Sequence, residues 1–492
     1  MSKSFLVRVL FFCCSLCFAL SPARSNALPQ KSGDVRFEPD SVETGRGQKI
    51  DVELGWLSVP ENRTNPSSRL IELAFVRLRS TVPNPGPPTI YLAGGPGTSG
   101  IDAIKGPALP LLMALQQSGD VILLDQRGTG ISKPSLVCNR TWDFPLDQPG
   151  RPKEMLRLSR IRMNECLQDL RNKGIDLKGY NTNENADDVA ALAKAIGAAK
   201  VNLWGLSYGT HLALTIIRRH EAIVNRAILN GVQGPDESML KLPSTIQRQL
   251  TKFNNLSQTD ARLSTVQPDI LLLTGKLLSQ LAKQPVTSEA TDPRTKQKSK
   301  VTVGKWDFQF FTASPITQTW GLKAMPSFYS SLAKGDFTPL AQAAYGFRRG
   351  QVGSMMPWMT ICASGASAER QRRVKREAKE SLLGDAINFP FPEICSFLGK
   401  PQLPQEFRAP VRSDVPVLFV SGTLDGRTPV EQAEEAQKGF SHGEHLVVAG
   451  ASHGFDLFYF FPQQKEIMLD FLQGKSLSTT RISILPFQFN PQ

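Results

Sequence analysis

A serine between two glycines is the residue of this chain whose type and spacing best suit nucleophilic chemistry. Gly205-Leu206-Ser207-Tyr208-Gly209 directly follows an apolar run at 201–204 and precedes a helical pattern at 211–218. On a sharp turn between a strand and a helix, a serine needs small residues two positions away on either side, because larger side chains would collide with the sheet or the helix. The context therefore predicts Ser207 as a nucleophile, with an ordinary tight turn as the alternative.

A serine hydroxyl needs a base to take its proton, and in this kind of site the order along the chain is Ser, Asp, His. The chain has five histidines. His453 follows the last predicted strand in a small-residue loop, so we expect it to be the base, with a hydrogen-bonded loop histidine as the alternative. His445 is expected to begin that strand, His442 to lie in the preceding turn, and His211 to be packed on a helix.

The orienting carboxylate should leave the end of the strand that precedes the histidine. Asp425 follows the apolar run at 417–420 in that position. Asp414 precedes the run and so belongs to the wrong end, and Glu431 and Asp456 are poorer candidates. We expect Asp425 to fix the tautomer of the histidine and to stabilise its charged form.

A tetrahedral intermediate also needs hydrogen-bond donors for its oxyanion. The backbone N–H of Tyr208, next to the serine, is one candidate, and Gly95 in the glycine-rich loop at 92–100 is the other. The loop lacks the Gly-Lys-Ser/Thr ending of a phosphate-binding loop, so a nucleotide site is not expected there.

The elements that must position these residues alternate between strands and helices, which predicts an α/β fold with a mostly parallel sheet. Eight apolar or β-branched runs are the predicted strands: 50–57, 71–78, 89–92, 121–124, 201–204, 226–229, 415–420 and 445–448. The alternation stops over 235–410, which predicts a mainly helical cap inserted into the core, with an exposed polar loop at 287–300. The predicted domains are therefore a first core part (28–234), the cap (235–410) and a second core part (411–492).

Residues 1–27 have the pattern of a secretory signal peptide. Lys3 and Arg8 precede or begin an apolar run at 9–20, and small residues close the segment at 25–27. An uncleaved anchor is the alternative, but the run is short for a membrane span. We expect a secreted or periplasmic protein without stable membrane insertion after cleavage.

The number and positions of the cysteines agree with an exported protein. Four of the seven lie beyond the predicted leader, and two disulfides are expected in an oxidising compartment. Three pairings are possible, of which we predict nearest neighbours: Cys138 with Cys166 and Cys362 with Cys395. No cysteine spacing suggests zinc, and we expect neither a metal nor an organic cofactor.

The net charge of +13 and the pI near 9.4 raise the question of a polyanionic partner. The densest basic run is interleaved with glutamates and lacks aromatic residues, so we expect a solvated helix face and no nucleic-acid binding. The basic side chains of this run are Arg370, Arg372, Arg373, Lys375, Arg376 and Lys379.

The sequence resembles the α/β-hydrolase peptidases that include prolyl iminopeptidases and secreted tripeptidyl aminopeptidases. The resemblance is carried by Ala93-Gly94-Gly95-Pro96-Gly97, Asp125-Gln126-Arg127-Gly128 and Gly205-Leu206-Ser207-Tyr208-Gly209-Thr210. The cysteines resemble the tripeptidyl branch more closely. Ala93 stands where iminopeptidases have a histidine, so strict proline specificity is not expected. We interpret Asp125 and Arg127 as structural residues.

The resemblance implies an exported serine hydrolase that removes N-terminal amino acids or tripeptides from short peptides through an acyl-enzyme. Such an enzyme must bind a cationic α-amine, for which Glu237, Asp385 and Glu393 in the cap are the candidate carboxylates. A carboxylesterase or amidase acting on a small ester or amide is the alternative, because fold does not decide substrate. A hydrolase-like binding protein without turnover is a further alternative.

Overall fold

The computed structural model describes residues 31–260, 269–398, 403–484 and 486–490. The predicted signal peptide lies outside these residues. The strands are β1 (Val35–Glu43), β2 (Lys49–Pro60), β3 (Leu70–Leu78), β4 (Thr89–Leu92), β5 (Val121–Leu124), β6 (Val137–Thr141), β7 (Val201–Leu206), β8 (Val224–Asn230), β9 (Val286–Thr291), β10 (Lys298–Val303), β11 (Gln351–Ser354), β12 (Val417–Gly422), β13 (Gly443–Ala449) and β14 (Arg481–Ser483).

A ten-stranded sheet forms the centre of the core, in the order β1-β2-β3-β5-β4-β7-β8-β12-β13-β14. The strands from β5 to β14 in this order pair in parallel, and those from β1 to β5 pair antiparallel. The predicted mostly parallel α/β sheet is confirmed, and all eight predicted strands are present. The expected number of eight is wrong, because edge strands β1 and β14 extend the sheet.

Helices cover the sheet on both faces, which explains the continuous apolar runs of its central strands. The helices are α1 (Leu109–Leu115), α2 (Pro152–Asn172), α3 (Thr182–Ala195), α4 (Tyr208–His220), α5 (Pro243–Thr259), α6 (Ile270–Lys283), α7 (Lys305–Ala313), α8 (Thr319–Ala333), α9 (Thr338–Arg348), α10 (Met356–Ser364), α11 (Ala368–Glu377), α12 (Cys395–Leu398), α13 (Val430–Gln437), α14 (Phe455–Phe458) and α15 (Gln464–Leu472). Adjacent residues of one strand enter different cores: Leu203 packs on one face and Trp204 on the other.

The chain between β8 and β12 forms a separate layer, which we call the cap. It contains α5 to α12 and has its own apolar core around Phe253, Phe308 and Tyr329. The segment expected as an exposed polar loop at 287–300 is instead the hairpin of β9 and β10, whose inner face buries Ala290 and Val301. That expectation was wrong because the strands are polar on their outer face.

An earlier part of the chain also contributes to this layer. Strand β6 pairs with β11 of the cap, and α2 follows β6 directly. Met163 of α2 packs in one apolar cluster with Met355 and Met356 of the cap. The chain at 137–172 therefore extends the cap layer beyond 235–410.

The four described cysteines form two disulfides, and the nearest-neighbour pairing is confirmed. Cys138 pairs with Cys166 and Cys362 with Cys395, with Cα–Cα distances of 5.6 and 5.2 Å. The first pair joins β6 to α2, and the second joins α10 to α12. Among the residues described, no helix combines the length and apolarity needed to cross a membrane.

Candidate active site

Ser207 stands on the sharp turn between β7 and α4 that its neighbours predict. Its backbone has φ 52° and ψ −117°, a conformation that a non-glycine residue adopts at a cost and that is found mainly where function requires it. A Cβ at Gly209 would lie 1.9 Å from the carbonyl oxygen of Leu92, and one at Gly205 would lie 2.6 Å from that of Gly209. Gly209 thus lets α4 approach β4 closely, and Gly205 lets the end of β7 approach α4. The turn presents the serine at the carboxyl end of the sheet.

The structure brings Ser207, His453 and Asp425 into one hydrogen-bonded series. His453 Nε2 lies 3.1 Å from Ser207 Oγ, and His453 Nδ1 lies 2.8 Å from Asp425 Oδ2. Asp425 is 1% exposed and His453 is 7% exposed. The aspartate follows β12 and the histidine follows β13, so adjacent parallel strands deliver both side chains to the edge where Ser207 stands. In this arrangement the imidazole can take the serine proton while the carboxylate holds it.

The turn after Asp425 fixes its carboxylate. Oδ1 accepts hydrogen bonds from the backbone N–H groups of Arg427 (2.7 Å) and Thr428 (2.8 Å). The hydroxyl of Thr428 donates to Oδ2 over 2.7 Å and also lies 3.0 Å from His453 Nδ1. Thr428 therefore touches both partners and restricts the imidazole to the orientation that faces Ser207.

The glycine-rich loop lies beside the serine. A Cβ at Gly94 would lie 3.3 Å from that of Ser207, and Gly95, with φ +107°, lines the same cavity. Tyr208 is fully buried and is the first residue of α4, a position whose N–H has no partner within the helix. One predicted oxyanion donor thus belongs to the residue after Ser207, and the other belongs to a loop that lines the same cavity.

Two buried charged residues hold the surrounding backbone, in agreement with their structural interpretation. Asp125 accepts hydrogen bonds from Ser99 Oγ (2.6 Å) and the N–H of Ile131 (2.8 Å), which ties the glycine-rich loop to the segment after β5. Arg127 is completely buried and makes a two-pronged ion pair with Asp188. Burial raises the pKa of Asp125, and its hydrogen bonds oppose that effect.

A cavity of about 850 Å³ opens beside Ser207 and His453. The cap contributes the segment at 318–323, and Thr319 N–H donates to the carbonyl of His453 over 3.4 Å. Aromatic side chains form much of the wall; Trp320, Phe455 and Phe460 are 64%, 60% and 56% exposed. The cavity wall comprises Tyr91, Gly94, Gly95, Thr98, Leu206, Ser207, Gln318, Thr319, Trp320, Lys323, Arg427, His453, Gly454, Phe455, Asp456, Phe458, Tyr459, Phe460 and Asn490.

A family model described as the α/β-hydrolase fold matches residues 87–457, which is most of the chain and includes all three members of the hydrogen-bonded series. The chain is an α/β hydrolase. Some of the proteins to which the chain is similar are named as peptidases. The chain is 27% identical over 188 residues to the serine protease Hip1 of Mycobacterium tuberculosis (strain ATCC 25618 / H37Rv), covering 37% of this chain and 36% of the relative.

Two further relatives match a stretch of similar size. A tripeptidyl aminopeptidase of Streptomyces lividans is 25% identical over 204 residues, covering 38% of this chain and 37% of the relative. The putative hydrolase YuaR of Escherichia coli (strain K12) is 26% identical over 195 residues, covering 38% and 37%. The chain thus spans little more than a third of the length of the curated relatives it matches.

The three cap carboxylates expected to bind an amine do not line the cavity of this hydrolase. Glu237 lies in a different pocket, where Oε2 accepts the N–H of Gly234 and Oε1 lies 3.4 Å from Arg370. Asp385 precedes a short helical turn, and Glu393 accepts a hydrogen bond from Arg160 through its backbone carbonyl. The carboxylate on the cavity wall is Asp456, which the sequence analysis ranked below Asp425 for another role.

Reasoning from the sequence missed Thr428 and Arg427, and it considered Asp456 only as a poorer alternative to Asp425. Thr428 carried a usable signal, since a hydroxyl residue three positions after an aspartate often closes a turn onto that carboxylate. Arg427 and Asp456 carried none, because the cavity they line is completed by the cap. The other histidines lie where they were expected: His211 is buried on α4, and His445 is in β13.

Proposed function

We propose that the protein is an exported serine hydrolase that cleaves N-terminal amino acids or tripeptides from short peptides through an acyl-enzyme. One observation carries the proposal: His453 lies within hydrogen-bonding distance of Ser207 on one side and of Asp425 on the other. Hydrogen-bonded in this order, the three side chains can activate the serine and return its proton to a leaving group.

In the first half of the reaction, Ser207 Oγ attacks the scissile carbonyl carbon and its proton moves to His453 Nε2. Asp425 accepts the hydrogen bond from Nδ1–H and stabilises the imidazolium. The backbone N–H groups of Tyr208 and Gly95 are the donors for the oxyanion. When the tetrahedral intermediate collapses, the bond to the leaving amine breaks, the amine takes the proton from His453, and Ser207 carries the acyl group.

In the second half, water replaces the amine. His453, neutral again, takes a proton from the water as its oxygen attacks the ester carbonyl. Collapse of this intermediate breaks the bond to Ser207 Oγ, which recovers its proton from His453. The products are an amine and a carboxylic acid.

The peptide substrate is supported by the relatives whose names specify peptidases, Hip1 and the tripeptidyl aminopeptidase. Export is supported by the two disulfides, which are typical of oxidising compartments. The signal-peptide pattern at 1–27 points the same way.

A carboxylesterase or amidase is the second candidate, and a specific observation favours it. The carboxylates expected to bind a peptide amine do not line the cavity beside Ser207, and aromatic rings form much of the cavity wall. Such a wall suits an apolar acyl or alcohol group as well as a peptide.

The test compares alanyl and tripeptidyl nitroanilides with a butyryl nitrophenyl ester. We expect hydrolysis of the nitroanilides and labelling of the protein by a fluorophosphonate, with both lost in Ser207→Ala because the nucleophilic oxygen is gone. Ser135→Ala, outside the cavity, serves as the matched control and should keep both. Ester hydrolysis without cleavage of any aminoacyl amide would favour the second candidate, and labelling that persists in Ser207→Ala would rule out both.

A further inference from the structure

The charged groups on the wall of the Ser207 cavity are not balanced. Besides His453, the wall carries two cations, Lys323 from the cap and Arg427 from the core, and one carboxylate, Asp456. The carboxylate is already engaged, since Oδ1 accepts from the hydroxyl of Thr319 and Oδ2 accepts from the N–H of Ser452 over 2.8 Å. The unengaged charge on the wall is therefore positive.

Arg427 is half-buried and differs from the fully buried arginines of the protein. Arg127 is paired with Asp188, and Arg348 donates to Asp307 over 2.7 Å. The guanidinium of Arg427 has no hydrogen-bond or ion-pair partner within the described parts of the chain. Leaving a partly buried charge unpaired is costly, so such a group is expected to have a partner that the described residues do not supply.

The nearest carboxylate cannot serve as that partner. Asp425 attracts Arg427, but its two oxygens already accept from His453, from Thr428 and from the backbone N–H of Arg427 itself. Another cation, Lys241, lies close enough for the charge of Arg427 to lower its pKa, and burial lowers the pKa of both groups. An added anion would therefore lower the electrostatic energy of these neighbouring positive charges.

The turn that carries Arg427 holds this residue at a fixed place relative to Ser207. The backbone N–H that binds Asp425 belongs to the same residue, so the turn that fixes the orienting carboxylate also fixes the base of this side chain. Lys323 approaches from α8, and its Nζ lies 5.8 Å from the centre of the Phe487 ring. Both cations line the cavity of Ser207, so a group bound to Arg427 would be held at a constant place relative to the serine.

We propose that Arg427, assisted by Lys323, forms a subsite for a carboxylate of the substrate. The inference rests on the proposed function for its substrate class. The carboxylate has two possible sources, an acidic side chain next to the scissile bond or the terminal carboxylate of a short peptide. A planar guanidinium binds either one through two parallel hydrogen bonds.

Two pairs of substrates distinguish the sources. Ala-Ala-Glu nitroanilide against Ala-Ala-Gln nitroanilide tests the side chain, and tetra-alanine as the free acid against its C-terminal amide tests the terminus. We expect the wild-type protein to prefer the acid in at least one pair. The ratio of kcat/KM within that pair should fall about 10- to 100-fold in Arg427→Gln, because a charge-assisted hydrogen bond is lost, and should be partly kept in Arg427→Lys.

The ratio within a pair is independent of the fraction of correctly folded protein, so a loss of stability does not imitate the expected result. Arg372→Gln makes the same change on an exposed face of α11 and should keep the wild-type ratio. A wild-type ratio near one in both pairs, or an unchanged ratio in Arg427→Gln, would overturn the proposal.

A binding experiment separates this inference from the proposed function. Calorimetric titration of Ser207→Ala needs no turnover. The acid is N-acetylglutamate, which carries both a side-chain and a terminal carboxylate, and the amide is N-acetylglutamine amide, which carries neither. We expect the acid to bind at least tenfold more tightly than the amide, and the difference to disappear in Ser207→Ala/Arg427→Gln. Binding of this kind without peptide cleavage would support the subsite and contradict the peptidase; equal binding of acid and amide would overturn the subsite.

Discussion

At the scale of single residues, Thr428 shows how a side chain that does no chemistry of its own can govern a reactive histidine. For His453 Nε2 to accept the proton of Ser207, Nδ1 must carry its hydrogen, which points toward both Asp425 Oδ2 and Thr428 Oγ1. The hydroxyl can accept from Nδ1 while it donates to Oδ2. Thr428 thus disfavours the other tautomer and the flipped ring.

Replacing this hydroxyl gives a residue-scale prediction. In Thr428→Val the side chain keeps its volume but loses both hydrogen bonds, so we expect kcat to fall about tenfold or more with KM little changed. Thr428→Ser retains the hydroxyl and should recover most of the rate. Steady-state kinetics on the best nitroanilide or ester substrate measures both variants. A valine variant as active as the serine variant would mean that the hydroxyl has no positioning role.

At the scale of elements, the close approach of α4 to β4 is the feature on which the site depends. Gly209 makes this approach possible, since an added Cβ would lie 1.9 Å from the backbone oxygen of Leu92. Neither a rotamer change nor a small side-chain shift relieves a clash with strand backbone. The helix itself would have to move, and Ser207 stands directly before it.

We therefore expect Gly209→Ala to destabilise the protein by about 1–3 kcal/mol and to abolish hydrolysis in the fraction that folds. Gly275→Ala is the matched control: this glycine lies inside α6 with no atom within 4 Å of an added Cβ, so the change should be neutral or stabilising by up to about 1 kcal/mol. Chemical denaturation and fluorophosphonate labelling measure the two effects. Full activity in Gly209→Ala would show that the helix can move without moving the serine.

Some strands could be predicted from the sequence and others could not. The central strands were predictable because both faces are covered and their runs are continuously apolar, as in β7 and β12. Edge strand β1 was missed because it is partly exposed and carries Pro39 among charged residues, and β14 has three residues. The hairpin of β9 and β10 was missed because a polar two-stranded unit looks like a loop.

Part of the candidate site could also be predicted from the sequence, and part could not. Ser207, Asp425 and His453 were predictable because each follows a strand, and strand ends in a parallel sheet meet at one edge. The cavity wall was not, because it depends on how the cap segment at 318–323 packs over that edge. The same non-local packing determines where the cap carboxylates Glu237, Asp385 and Glu393 lie. The composition of the cap therefore could not predict which carboxylates line the cavity.

At the scale of the whole molecule, His211 joins the core to both ends of the cap. It lies on α4, 1% exposed, and its Nδ1 is 3.2 Å from the carbonyl of Gly234, where the chain leaves β8 for the cap. Its ring also packs at 5.3 Å against Phe407, where the chain returns to the core. Burial lowers the pKa of His211 from 6.5 to about 4, and the nearby Lys241 and Arg218 add to this effect.

This shift predicts that acid weakens the molecule at the junction of core and cap. Between pH 6.5 and about 4 the unfolded chain binds a proton at this position and the folded chain does not, so the free energy of unfolding falls as the pH falls through that window, by up to about 3 kcal/mol. His211→Gln removes the titration and should flatten this part of the pH profile. Urea unfolding at pH 7, 5.5 and 4.5 measures the slope, with His442→Gln at an exposed position as the control. If His211→Gln lost stability on acidification as steeply as the wild type, the acid sensitivity would have to come from other groups, such as carboxylates or His445, whose pKa burial also lowers. The neutral His211 would then not be what holds the cap to the core.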